Sequence, residues 1–223
     1  MEVKVLFENG YEAALFGIGL SFGLTSGKDI SIISEDNELR TKLHNVAKRI
    51  SVIGGGENKF LRQISVIIDL KTSFAHFKQF DTYKVGTTAQ SESSMHTILK
   101  NEITEDMFDM DYQSEEGREF LRNTIIPFLN ERRKSYMSLE NDLSLSEEER
   151  KEKRKEIWYD IIDVLPSSWY QRRIVTLNYA VIQNIISKRW NHKLYQWKEF
   201  CEEVMKQVKH PDLITGGGKL KID

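Results

Sequence analysis

The sequence predicts an α+β fold, helix-rich with a small sheet, and three observations carry that prediction. Strand signal is confined to a few short runs, above all residues 64 to 70, ISVIIDL, rich in β-branched side chains. Long stretches after residue 114 instead place apolar residues three and four apart, the period of a helix packed on one face. Only 3 prolines interrupt a chain of 223 residues, which suits extended helical segments.

The totals bound the function classes. A length of 223 residues with 39% hydrophobic and 30% charged residues describes an ordinary globular chain of one large domain or two small ones. No linker divides it, so a single domain over 1–215 with a flexible tail over 216–223 is expected. The net charge of −2 provides no global field for a nucleic acid or an acidic membrane, so neither is an expected partner. The single cysteine, Cys201, excludes an internal disulfide and makes a cytoplasmic location the default. No signal peptide, membrane span or metal-ligand spacing of Cys and His is legible.

Taken in order, EVKVLF at residues 2 to 7 reads as a strand closed by Asn9-Gly10. Residues 11 to 23 read as an apolar helix. Gly17, Gly19 and Gly23 fit no phosphate-loop spacing and are expected to allow close packing. Residues 37 to 50 align Leu39, Leu43, Val46, Ala47 and Ile50 on one helical face. Gly54-Gly55-Gly56 then breaks the chain, most simply as a connection. A helix over 73 to 83 carries Phe74, Phe77 and Phe80 as a core stripe and delivers Gln79 and Lys84 to the polar stretch beyond. Ser146 and Glu149 form a capping box for a charged helix over 147 to 163, whose run EEERKEKRKE reads as a solvated face of alternating sign. One helix is predicted over 172 to 189, burying Ile174, Leu177, Val181, Ile185 and Ile186. Another is predicted over 193 to 208, with Leu194, Trp197, Cys201, Val204 and Val208 inward.

Two polar clusters stand out against this background. Residues 77 to 98, FKQFDTYKVGTTAQSESSMHTI, are rich in Ser and Thr and hold Gln79, Lys84, Glu92, Ser94 and His96. Such a set offers short donors and a few charges to a polyanionic ligand such as a nucleotide. The second cluster is Tyr170, Arg172, Asn178, Asn184, Arg189 and His192, and the two are expected to meet around one ligand. On the predicted helix Arg172 lies at an N-terminus suited to anions, and Arg189 lies about 25 Å along the axis. That span suggests a site built between subunits. His96 and His192 are the candidate acid–base groups of the two clusters, with a plain hydrogen-bonding role the simpler reading for each. Cys201 reads as a buried structural thiol rather than a nucleophile.

The segment from Leu165 to Trp197 resembles the C-terminal motif region of flavin-dependent thymidylate synthases. Leu165-Pro166, Tyr170-Gln171-Arg172, Asn178, Asn184, Arg189 and His192 match in order. Upstream, Gln79, Glu92 and Ser94 match, with His96 where the family has an arginine. The resemblance covers residues 60 to 100 and 157 to 205 and is closest to a divergent branch of phages and Gram-positive bacteria. The diagnostic Arg-His-Arg is absent: Thr82-Tyr83-Lys84 or Lys84-Val85-Gly86 stands in its place, and Ala180 replaces a further arginine.

The resemblance implies methylation of dUMP to dTMP with methylenetetrahydrofolate as donor, reduced FAD as hydride source and NADPH as reductant. It implies dUMP contacts from Gln79, Glu92, Ser94, His96, Arg172 and Arg189. Of these, Ser94 and His96 come from another subunit, and Arg189 stabilises charge on the pyrimidine as the catalytic residue. It implies flavin contacts from Lys84, Asn178, Asn184 and His192, a homotetramer, and a bacterial or phage-infected cell. A non-catalytic or altered-chemistry pyrimidine-nucleotide-binding protein on the same fold is the alternative.

Overall fold

The computed structural model describes residues 1–222, the side chain of Met95 excepted. Its elements run in the order β1 (Glu2–Asn9), α1 (Tyr11–Ser21), α2 (Ile32–Glu35), α3 (Asn37–Ile50), a 3-10 helix (Glu57–Gln63), β2 (Ser65–Ser73), α4 (Phe74–Phe80), β3 (Thr88–Ser91), α5 (Ser94–Thr97) and a 3-10 turn (Glu105–Met107). There follow α6 (Glu115–Phe120), a π-helical segment (Leu121–Ile125), α7 (Ile126–Ser138), a 3-10 turn (Leu139–Asn141), α8 (Glu147–Val164), β4 (Tyr170–Asn178), α9 (Tyr179–Arg189), α10 (Gln196–Gln207) and α11 (Pro211–Thr215). The fold is α+β and helix-rich, with one four-stranded sheet of order β1-β2-β4-β3. The chain groups into two compact units. One comprises Met1–Lys71, Lys78–Gln90 and Arg172–Asp223; the other comprises Thr72–Phe77 and Ser91–Gln171.

In the first unit the strands follow the period of two that a half-buried sheet requires. Val66, Ile68 and Leu70 of β2 are fully buried, as is Val175 of β4, and Leu177 nearly so. The alternate residues Ile67, Asp69, Lys71, Arg172 and Ile174 lie on the other, more open face. β1 pairs antiparallel with β2, Lys4 opposite Asp69 and Glu2 opposite Lys71, with an irregularity between Val5 and Phe7. Ala14, Leu15 and Ile18 of α1, Leu43 and Ala47 of α3, Ile182 and Ile185 of α9, and Trp197, Phe200, Cys201 and Val204 of α10 are all buried, and α10 packs on β1.

Local chemistry fixes the ends of these elements. Gly10, with φ 90°, turns β1 into α1, and a Cβ there would lie 2.0 Å from the Gln63 carbonyl oxygen, so no other residue fits. Asp36 caps α3 by accepting from the Leu39 amide.

A buried polar knot ties the C-terminal end of this unit to β1. The Tyr179 hydroxyl donates to Glu8 Oε1 at 2.8 Å and accepts from the His210 amide at 3.1 Å, while Glu8 Oε2 accepts from the Lys209 amide. Nearby, the Tyr11 ring stacks on His210 with centroids 3.7 Å apart, and His44 bridges the Tyr11 hydroxyl and Asp212. Beyond α11, Gly217 and Leu220 donate back to Asp212 and Thr215. The last residue of the expected tail, Asp223, lies outside the described residues.

The second unit has its own core of Ile98, Ile103, Phe108, Leu121, Leu129, Ile161 and Trp169. α7 and α8 pack side by side. The Asn130 side chain reads both backbone groups of Ile103, which fixes α7 to the preceding loop. The predicted capping box at Ser146 and Glu149 is present, and α8 begins there.

The predicted single helix over 172 to 189 is a strand followed by a helix. Residues 170 to 178 form β4, and α9 starts only at Tyr179, capped by the Asn178 side chain on the Val181 amide. Apolar residues at 174, 177 and 181 satisfy a helical period, but Arg172 and Ile174 are exposed while Val175 and Leu177 are buried, the period of two of a strand. Arg172 therefore does not occupy a helix N-terminus. The separation along one helix axis, which pointed to a site between subunits, is not a feature of this chain.

Candidate functional site

Strand geometry turns the adjacent arginines of β4 to opposite faces. Arg172 lies on the more open face and forks its Nε and Nη2 onto both carboxylate oxygens of Asp69 on β2, the first at 2.8 Å. The hydrogen bonds from Arg172, with help from Lys4 opposite, hold the Asp69 carboxyl below the usual range against the effect of burial. Arg173 lies on the other face, 14% exposed, and donates to Asp81 at 2.7 Å. The residue nominated for dUMP phosphate thus already holds a carboxylate where an anion would bind.

The second nominated arginine stands in a different cluster. Arg189 ends α9, and its Nε donates to the Tyr83 hydroxyl at 2.9 Å. Its guanidinium lies over the Tyr83 ring at 5.7 Å and the Trp197 ring at 5.3 Å. Trp197 in turn donates its indole N–H to Gln79 Oε1 at 2.9 Å and stacks on Phe80 with the planes 7° apart. Four elements or loops thus place Gln79, Tyr83, Arg189 and Trp197 together. The aromatic walls orient the guanidinium, and its Nη groups have no partner among the described residues.

The nominated flavin residues are less free. Asn178 spends its side-chain oxygen on the Val181 amide. Its nitrogen lies where a Cβ on Gly86 would come within 2.7 Å, and with φ +75° the position accepts glycine alone. His192 accepts from the Leu194 amide through Nδ1, and burial, then the neighbouring Arg189 and Lys193, lower its pKa, so the ring is neutral near pH 7. Lys84 and Asn184 are exposed. Glu92, Ser94 and His96 belong to the second unit, where the Glu92 carbonyl accepts from the Gln171 side chain and the side chains of Glu92 and His96 are exposed. Cys201 is fully buried and its thiol is pushed up to about 12, which removes it as a nucleophile.

A cleft of about 550 Å³ in the first unit went unnominated. Its floor is Ala14, Ile18 and Phe60, and its rim carries Ser21, Lys59 and the positive-φ glycines Gly55 and Gly56. The glycines expected to be a plain connection are therefore part of a concave surface of small-molecule size. Asp69 was also missed. An aspartate inside the β-branched run ISVIIDL was the signal for it. Trp197 carried no signal beyond helical periodicity, because its hydrogen bond to Gln79 spans 118 positions.

No family model matches the sequence, and no curated protein matches it. Solved structures share its fold. One is the flavin-dependent thymidylate synthase ThyX from Helicobacter pylori complexed with FAD and dUMP, at 15% identity and a TM-score of 0.63, covering 96% of this chain and 98% of that one. A second structure of ThyX from Helicobacter pylori with FAD and dUMP aligns at 14% identity and a TM-score of 0.63, over 99% of this chain and all of that one. At such identities the likeness is one of fold.

Proposed function

We propose that the chain binds dUMP and serves its methylation to dTMP, with methylenetetrahydrofolate as donor and reduced FAD, regenerated by NADPH, as a loosely held hydride source. The observation that carries the reading is Arg189, a guanidinium walled by Tyr83 and Trp197 with its Nη groups unspent. A cation fixed in that way is suited to a pyrimidine carbonyl on which negative charge develops, since it needs no reorganisation when the charge appears. Arg172 supplies the phosphate end by exchanging the Asp69 carboxylate for a phosphate oxygen.

The residues fit FAD as an exchangeable ligand rather than a prosthetic group. Lys84 is the one base among the nominated flavin contacts, and Asn178 and His192 are engaged locally. The cleft beside Gly55 and Gly56 adds Lys59 and a volume that takes part of a dinucleotide. When bound, the flavin supplies the hydride; the chain's own groups hold the nucleotide and neutralise its charge.

Self-association as a homotetramer belongs to the same reading, with Ser94 and His96 supplied to the nucleotide by another copy. Its support is the exposed apolar set Leu6, Phe7, Leu20 and Phe22 on the first unit, at 46 to 60% exposure. Among the described residues no helix is long and apolar enough to cross a membrane.

A second reading, a non-catalytic nucleotide-binding protein, is favoured by one observation. Tyr83 occupies the stretch where the resemblance implies a flavin-gripping Arg-His-Arg, and it holds Arg189 instead. Calorimetric titration with dUMP and with FAD, followed by a product assay with all co-substrates, separates the readings. dUMP binding without flavin, and dTMP formation only when FAD is added, is the expected result. Binding without product at saturating FAD selects the second reading, and no dUMP binding overturns both.

A further inference from the structure

The charged helix α8 is more ordered in its charges than its sequence suggests. At 3.6 residues per turn, the run EEERKEKRKE segregates. Arg150, Lys151, Arg154 and Lys155 fall on one side with Glu147 among them, and Glu148, Glu149, Glu152 and Glu156 fall on the other with Lys153 beside them. The basic side lines a groove of about 560 Å³, closed by Tyr136 from α7 and by Trp158 one turn further along α8.

The four cations are not consumed by acids. None of them makes an ion pair among the described residues, although Glu140 and Glu147 also line the groove and leave it a net charge of two positive units from four bases and two acids. Arg150 spends one Nη on the Asp142 and Leu145 carbonyls, which anchors the loop before the helix. The Arg154 guanidinium carbon lies over the Tyr136 ring, 4.4 Å from its centroid, and its Nε is buried without an acceptor. Lys151 and Lys155 stand exposed one turn apart on the rim.

We propose that this groove binds a small polyanion carrying two or more adjacent phosphate groups, such as an inorganic polyphosphate or the phosphate tail of a nucleoside triphosphate. Two arginines held by carbonyls and a ring provide planar, directional donors, and two exposed lysines provide point charges for the remaining oxygens. The volume lies within the range of small-molecule sites, roughly 300–1,000 Å³. The site lies wholly in the second unit and uses none of the residues assigned to dUMP.

Calorimetric titration of the full chain with inorganic tripolyphosphate, with ATP and with citrate tests the proposal. One equivalent of tripolyphosphate is expected to bind, with affinity falling at least tenfold in the Lys151→Ala/Lys155→Ala double variant. The double variant should keep an unchanged circular dichroism spectrum, because both side chains are exposed. Arg172→Ala should bind tripolyphosphate as the wild type does, which separates this groove from the nucleotide site. Equal ATP affinity marks free phosphate chemistry as the determinant, and tighter ATP binding adds a base stacked on Trp158. Citrate binding as tight as tripolyphosphate, no saturable binding at millimolar concentration, or binding unaltered in the double variant would overturn the proposal. Binding of a single-stranded oligonucleotide in preference to tripolyphosphate would overturn it in favour of a nucleic-acid surface.

Discussion

Arg172 and Asp69, 103 positions apart in the sequence, are forked together across neighbouring strands on the more open face of the sheet. The arginine is 63% exposed and the carboxylate 14%, so the pair presents a cation to solvent with its counter-ion beneath. An incoming phosphate meets a guanidinium that is oriented but already partnered. Asp69→Asn keeps the shape and removes the competing charge. Its dUMP affinity is expected to rise several-fold, while Arg172→Ala is expected to lose about ten- to a hundred-fold, the worth of a charge-assisted hydrogen bond. Weaker dUMP binding by Asp69→Asn, measured by calorimetry, would show that the carboxylate positions Arg172 rather than competes for it. Because the Asp69 carboxyl is depressed in the folded state, its contribution to stability is present above about pH 4 and is lost as pH falls through the lower folded value.

The setting of Arg189 separates charge from geometry. Lysine at that position keeps the cation but loses the planar fork and its stacking on Tyr83 and Trp197. Arg189→Lys is expected to weaken dUMP binding by about tenfold or more, with a thermal midpoint within a few degrees of wild type. Unchanged dUMP affinity would remove Arg189 from the nucleotide site.

The fully buried hydroxyl of Tyr179 satisfies Glu8 and the His210 amide together. Tyr179→Phe leaves a buried carboxylate short of its donor and an amide without an acceptor. The expected cost is about 1–3 kcal/mol, read as a fall of roughly 2–4 °C in Tm per kcal/mol for a chain of this size. A fall below one degree would mean that water or a neighbouring group replaces the hydroxyl.

His210 predicts how stability depends on pH. Burial lowers its pKa; Glu8, Asp212 and Glu12 pull the other way, and His44 adds to the lowering. The unfolded chain, with an ordinary histidine near pH 6.5, therefore takes up its proton first as pH falls. Stability contributed by the neutral ring is complete above about pH 6.5 and is lost as pH drops toward the lower folded value. His192 is depressed in the same sense and contributes to the same window. Urea midpoints at pH 7.5, 6.5 and 5.5 should decline for the wild type and decline less for His210→Phe, which keeps the stack on Tyr11. Parallel declines in the two proteins would assign the slope to His192 and the acidic groups instead.

What the sequence determined is what depends on near neighbours along the chain. The β-branched run at 64 to 70, the aligned face of residues 37 to 50 and the capping box at Ser146 each fold as read, because one hydrophobic period or one side-chain cap decides them. Of the stripe Phe74, Phe77 and Phe80, the last two are core as the spacing predicts, and Phe74 is half-buried. Tertiary structure decided the segment RRIVTLN. Its apolar residues satisfy a helical period as well as a strand's, and the choice falls to pairing in the sheet with β2, about a hundred positions away, which no local pattern encodes. The same long reach placed Asp69 under Arg172, Tyr83 against Arg189, Gln79 against Trp197, and Gly55 and Gly56 at the rim of a cleft. The polar residues could be named from their types and order, but which of them meet depended on sheet pairing and helix packing, whose contacts join positions far apart in the chain.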